Sequence, residues 1–201
     1  MKLSATSSRL VHKLKFTEMD SSLTKSVHIN NVNEMDYESF IEVFGNVIEH
    51  CSLCAAAVWR YRPFKDVRQV HEEICKFVDE LPEAGREGIL RSHPDLAGRL
   101  AGLGLLTDES KREQAAAGLG HLTPEEIARI QEMNAQYRKQ FGFPFVICAR
   151  QNKKEAILEG LKTRIKNSPQ AELAKGIAEV KKICYLRLLD IVEHEGIESR
   201  L

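Results

Sequence analysis

Three short stretches carry side chains that can move a proton or hold an anion. In LRSHPDLAGRL, residues 90–100, His93 precedes Pro94 and Asp95. Proline confines the residue before it to extended backbone, so the ring stands on a stiff corner. Either isomer is open to the His93-Pro94 bond, and Asp95 is placed to cap the turn that follows. Histidine titrates near neutrality, which suits acid/base transfer; a lone histidine in a turn serves equally well as structure. Ser110, Glu113 and Gln114 are spaced three and four apart, which puts them on one helix face. A hydroxyl, a carboxylate and an amide together suit a small polar ring, and a solvated face is the plain alternative. Arg187 falls on the stripe formed by Leu173, Ile177, Val180, Cys184, Leu188 and Ile191. A cation there needs an anion: a glutamate of the protein or a carboxylate of a substrate. Otherwise its stem must snorkel outward.

Two further stretches invite chemistry. FGFPFVICAR, residues 141–150, is apolar, carries Pro144 and lacks helical period, yet no partner strand exists for it. Its backbone N–H and C=O groups must still be satisfied, by a ligand or by tight packing of its phenylalanines. Cys51 and Cys54 stand in a C-x-x-C pattern beside His50. Zinc sites of this kind want a second pair, which is missing, and a redox pair wants a βα setting. Core thiols are the plainer reading.

The elements that must position these groups read as helices throughout. Asp36 caps a helix through Phe40, Ile41, Val43 and Phe44, and CSLCAAAVW is a short, central, almost wholly apolar helix. Val67, Val70, Ile74, Phe77 and Leu81 recur at helical spacing, ended by Pro82 and Gly85. Thr107 caps the helix bearing Ser110 to Gln114. Thr123-Pro124-Glu125-Glu126 is a capping box, opening a helix with Ile127, Ile130, Asn134, Tyr137 and Phe141 on one face. Asn152-Lys153-Lys154-Glu155 reads as a second box, and Ser168-Pro169 starts a last helix reaching about Val192. The fold class is all-α: a single-domain bundle of about seven to eight helices with no significant sheet.

With 201 residues the chain can bury a proper core. Lysine plus arginine and aspartate plus glutamate number 29 each, so nothing favours nucleic acid or an acidic membrane. Five cysteines, an odd number, read as reduced thiols, and no apolar run reaches the roughly 18–20 residues that span a bilayer. Residues 1–26 are polar, basic and serine-containing, either a transit-type leader to mitochondria or a plain extension of a cytoplasmic chain. Residues 27–193 form the domain. Residues 194–201 form a tail whose end, Ser199-Arg200-Leu201, is similar to a peroxisomal signal.

The blocks EGILRSHPDLAG, ESKREQAAAGL, FGFPFVICAR and EVKKICYLRLLDI resemble, in order and at fitting distances, the OHCU decarboxylases. INNVNEMDYESFIEVFGNVIEHC and AAAVWRYRPFKDV fit the same family. The resemblance implies an all-helical homodimer that needs neither metal nor organic cofactor. It implies decarboxylation of 2-oxo-4-hydroxy-4-carboxy-5-ureidoimidazoline to (S)-allantoin and CO2 in urate breakdown. It makes His93, Glu113 and Arg187 catalytic, and gives substrate contacts to Pro94, Ser110, Glu113, Gln114, Phe145, Val146, Ile147, Cys148 and Ala149. His93 then moves a proton to or from the substrate, while Arg187 either binds the departing carboxylate or braces Glu113. Two rival readings remain: a helical adaptor with an exposed apolar groove, and a metal hydrolase built on His93 and Asp95.

Overall fold

A computed structural model describes residues 26–194; residues 1–25 and 195–201, with Ser199-Arg200-Leu201, lie outside the described residues. The chain runs through α1 (Ile29–Glu34), α2 (Tyr37–Phe44), α3 (Ser52–Val58), α4 (Val67–Glu80) and α5 (Glu83–Arg91). It continues through α6 (Arg99–Gly102), α7 (Asp108–Ala116), α8 (Pro124–Phe141), α9 (Lys154–Arg164) and α10 (Pro169–Ile191). Among the described residues the only β pairing is an isolated bridge between Val27 and Val192, so the all-α class holds. The helices beyond the expected seven or eight are short: α1 and α6 span only six and four residues.

The starts are set by side-chain caps that take up amides the first turn leaves free. Asp36, Asp66, Thr107 and Ser168 accept from Ser39, Gln69, Ser110 and Ala171. Thr123 and Glu126 complete a reciprocal capping box with Pro124 in the first turn. The second expected box does not form. The residue before α9 is Lys153, without a side-chain cap, because the Asn152 amide donates instead to the Cys148 carbonyl at 2.9 Å. Nor does α4 lead into open loop: Pro82 directly precedes α5, whose Gly85 and Gly88 weaken the helical pattern in the sequence.

One apolar core joins α2, α3, α4 and α10, with Phe40, Phe44, Cys54, Val58, Val70, Val180 and Leu188 fully buried. Each such side chain contributes about 1.5–3 kcal/mol on leaving water. The helix α3 packs on α2 and α4, and α10 crosses α4 and α5. That crossing is close: a Cβ added at Gly176 would lie 3.0 Å from both methyls of Leu90. The tight approach of α10 to α5 brings Arg187 near the corner that follows Arg91.

Candidate functional site

His93 follows α5 on a corner pinned from two sides. The Ser92 hydroxyl reaches the carbonyls of Glu49 at 2.6 Å and Ile89 at 2.7 Å. The His93 ring is buried, and Nδ1 lies 2.9 Å from the Ile89 carbonyl. A carbonyl only accepts, so Nδ1 carries the hydrogen and neutral His93 keeps its lone pair on Nε2. Nε2 is buried with no protein partner. Burial drives the His93 pKa down to about 4, opposed by the bond to Ile89 and by the Glu49 charge, and helped by the Arg187 charge. The ring at neutral pH is therefore an uncharged base.

The corner differs from expectation in two details. The cis peptide bond among the described residues is Arg62-Pro63, so His93-Pro94 is trans. Asp95 does not cap the turn: its carboxylate pairs with Arg138 on α8 at 2.9 and 3.0 Å. The turn closes instead through Ala97, which sits in the left-handed region at φ 47°, an uncommon setting for a residue with a Cβ. Its amide donates to the Gln114 Oε1 at 3.0 Å, and Leu96 offers its carbonyl to Asn134. Gln114 is thereby oriented, with its NH2 free of protein acceptors.

The face of α7 bearing Ser110, Glu113 and Gln114 turns inward, not to solvent; Ser110 and Gln114 are buried. Arg187 meets it from α10. Nε and Nη2 bond the two Glu113 carboxylate oxygens at 2.8 Å each. Nη2 also reaches Ser110 Oγ at 3.3 Å, while Nη1 bonds the Asn46 carbonyl and the Glu49 carboxylate, both at 2.8 Å. A guanidinium has five N–H donors, and these acceptors engage every nitrogen. In this arrangement Arg187 holds both carboxylate oxygens of Glu113. Its pKa is raised: burial opposes the charge, but Glu113 and Glu49 outweigh burial.

Glu49 is the functional residue that sequence reasoning missed. It is 1 % exposed and accepts from Thr107 at 2.8 Å and from Ser110 at 3.0 Å, besides Arg187. Burial alone would raise its pKa, yet Arg187 and the two hydroxyls hold it below the ordinary value. His50, at φ 49°, bends the chain after it. The visible signal was an acid directly after Val47-Ile48 and before an apolar helix.

Within the stretch 141–150 singled out from the sequence, residues 144–148 run without helix between α8 and a short 3-10 turn at Ala149–Gln151, and charged side chains satisfy two of their backbone groups. Glu179 accepts the Cys148 amide at 2.9 Å, and Arg164 donates to the Val146 carbonyl at 2.8 Å. Arg164 also lies over the Phe145 ring at 4.5 Å and pairs with Glu172, which is further held by Tyr137 and Asn167. No ligand is needed to satisfy those two groups.

His93, Pro94, Ser110, Glu113, Gln114, Phe145, Val146, Ile147, Ala149 and Arg187 line one cavity of about 30 Å³, with Leu96 and Ile183. That is room for roughly one water. Cys148 does not line it; its side chain is buried elsewhere and its amide is committed to Glu179. A larger cleft of about 260 Å³ shares His93 and Pro94 with this cavity and is lined also by Glu49, Arg91, Arg99 and Arg138. Among the described residues no group of three or more histidines, cysteines or acids is placed to hold a metal.

Fold and site together define a small all-helical protein whose described residues set a neutral histidine in a cavity beside a buried ion cluster. Within that class, the chain belongs to the OHCU decarboxylase family, whose model matches residues 33–189. It is 49% identical over 173 residues to the 2-oxo-4-hydroxy-4-carboxy-5-ureidoimidazoline decarboxylase of Xenopus laevis, covering 86% of this chain and 99% of that protein. The enzyme of the same name from Amia calva is 51% identical, with the same shares covered. A crystal structure of OHCU decarboxylase in the presence of (S)-allantoin shares the fold at TM-score 0.59 and 21% identity, covering 76% of this chain and 96% of that one. A crystal structure of (S)-allantoin synthase does so at TM-score 0.63 and 23% identity, covering 83% of this chain and 54% of that one.

Proposed function

We propose that this chain is a carboxy-lyase that converts 2-oxo-4-hydroxy-4-carboxy-5-ureidoimidazoline to (S)-allantoin and CO2. The observation that carries the reading is the unpartnered Nε2 of His93, which lines a cavity with Glu113 and Gln114. When the carbon–carboxylate bond breaks, its electron pair passes to the ring C=N, so the substrate provides its own sink. The ring nitrogen takes a proton from solvent. His93 accepts the proton of the ring hydroxyl on Nε2 and returns it to the neighbouring carbon, which becomes the stereocentre. The balance is one proton taken up and one CO2 released.

The protein groups divide the rest of the work. Glu113, held rigid by Arg187, receives N–H groups of the ureido arm or ring. Gln114, fixed through Ala97, donates to a ring oxygen. Pro94 keeps the imidazole aimed, and one-sided proton delivery sets the (S) hand. Pre-set donors and a base that needs no reorganisation are what such a site contributes.

The test is direct. Purified protein is added to freshly oxidised and hydrolysed urate, and the loss of ultraviolet absorbance and the optical rotation of the product are followed. The reading expects acceleration over the spontaneous decay and a single enantiomer of allantoin. An unchanged rate with racemic product would overturn it. A homodimer, and peroxisomal import through Ser199-Arg200-Leu201, belong to the same reading. Light scattering of the purified protein and localisation of a fluorescent fusion with and without the tripeptide test them.

A further inference from the structure

The C-x-x-C pair is not part of the acid/base pocket, yet its two sulfurs are in contact. Cys51 Sγ and Cys54 Sγ lie 3.6 Å apart, across the first turn of α3. All five cysteines are free thiols. The pair is asymmetric: Cys51 is half-buried, whereas Cys54 is fully enclosed in the core. The other three thiols lack this setting. Cys148 and Cys184 are buried. Cys75 is half-buried, and its nearest polar partner is a ring nitrogen of His71 at 3.3 Å.

We propose that Cys51 and Cys54 are a hydroperoxide-reactive dithiol that closes reversibly to a disulfide, with Cys51 attacking and Cys54 resolving. Accessible thiolates attack; enclosed, protonated thiols resolve. The electrostatics support this division. The Cys54 thiol, then the backbone amides of Cys54 and Leu53, pull the Cys51 pKa down to about 6 against the effect of burial. The same contact, with burial, pushes Cys54 up and keeps it protonated. Burial raises Cys75 to about 11, and it raises Cys148 and Cys184 as well.

The chemistry balances in two steps. The Cys51 thiolate attacks one oxygen of hydrogen peroxide: an S–O bond forms, the O–O bond breaks, and the hydroxide that leaves takes up the proton released when the thiol ionised, giving water. Cys51 is thereby oxidised to a sulfenic acid and the peroxide reduced. Cys54 sulfur then attacks Cys51 sulfur: an S–S bond forms, the S–O bond breaks, and the sulfenic oxygen departs as water with the Cys54 proton. Two equivalents of an external thiol restore the pair. The sulfurs already touch at 3.6 Å, and closure brings them to the bonding distance of about 2 Å.

The experiment treats the full chain with hydrogen peroxide, blocks remaining thiols with iodoacetamide and maps peptides by mass spectrometry. It is independent of the decarboxylase reading, since the readout is covalent. The expected product is a bridge between Cys51 and Cys54, lost on adding dithiothreitol. In Cys54→Val, Cys51 is expected to stop at a dimedone-trappable sulfenic acid and then pass to the sulfinic acid. In the unmodified chain, alkylation of Cys51 is expected to be half-maximal near pH 6 and to outrun that of Cys75. In the unmodified chain, oxidation of Cys51 to sulfinic acid without a bridge, a bridge to another cysteine, or no preference for Cys51 over Cys75 would each overturn the proposal. These readouts need no variant, so a folding defect in Cys54→Val leaves the test intact.

Discussion

The state of His93 makes a quantitative prediction about acid pH. Burial lowers its pKa to about 4, against roughly 6.5 for an exposed imidazole. If neutral His93 is the active form, about nine-tenths of the sites remain competent at pH 5. An ordinary histidine would leave only about 3 % neutral there, so the two cases differ by roughly 30-fold. The assay is the initial rate of substrate absorbance loss, taken as kcat/KM from pH 4 to 8 with the spontaneous rate subtracted. The acid limb should fall well below pH 6. The same shift appears in stability: folding favours neutral His93, so its contribution is full above about pH 6.5. It is lost as pH falls from there to about 4, by an amount on the order of 3 kcal/mol. Glu49 titrates below the ordinary carboxylate value and cannot supply a limb near 6.5. Nitrogen-15 shifts of the ring should show hydrogen on Nδ1 and a bare Nε2 at pH 6. An acid limb at pH 6.5, or the opposite tautomer, would refute the assignment.

Two other perturbations probe the ion cluster. Glu49→Gln leaves buried Arg187 with the Glu113 carboxylate alone, and losing one charge-assisted contact while the other pair stays costs roughly 1.5–3 kcal/mol. Denaturant unfolding should show it, and a change under about 1 kcal/mol would mean that Glu49 carries little of the cluster. Arg187→Lys keeps the charge but cannot serve Glu113, Glu49 and Asn46 together. On the reading that Arg187 acts through Glu113, kcat should fall at least about tenfold with little change in KM. A rise in KM at unchanged kcat would place Arg187 on the substrate instead.

Much of this was legible in the sequence because it depends on local chemistry. Caps at Asp36, Thr107, Thr123 and Ser168 follow from residue type and spacing. So did the odd non-helical stretch within 141–150, and a cation stranded at Arg187 that demanded an anion. What the sequence could not show was which anion. Glu113 and Glu49 both reach Arg187, from α7 and from the loop before α3, and only the packing of α10 against α5 decides that. The inward turn of the α7 face has the same origin. Glu179 and Arg164, which satisfy the run at Val146 and Cys148, look like ordinary surface charges on helices until the tertiary fold encloses them. The failed box at Asn152 is a competition: its amide found the Cys148 carbonyl first. The adaptor reading had predicted an exposed apolar groove and no chemistry at His93. The cavity at His93 is instead rimmed by Ser110, Glu113, Gln114 and Arg187.

The claim at the centre is that His93 delivers the proton that makes the stereocentre. His93→Asn keeps a polar group at the corner but removes the base. Circular dichroism of the product, recorded while absorbance decay is followed, tests it. The account predicts a rate loss of about 10²–10⁴-fold and racemic allantoin. Fast conversion to purely (S) product by His93→Asn would contradict it.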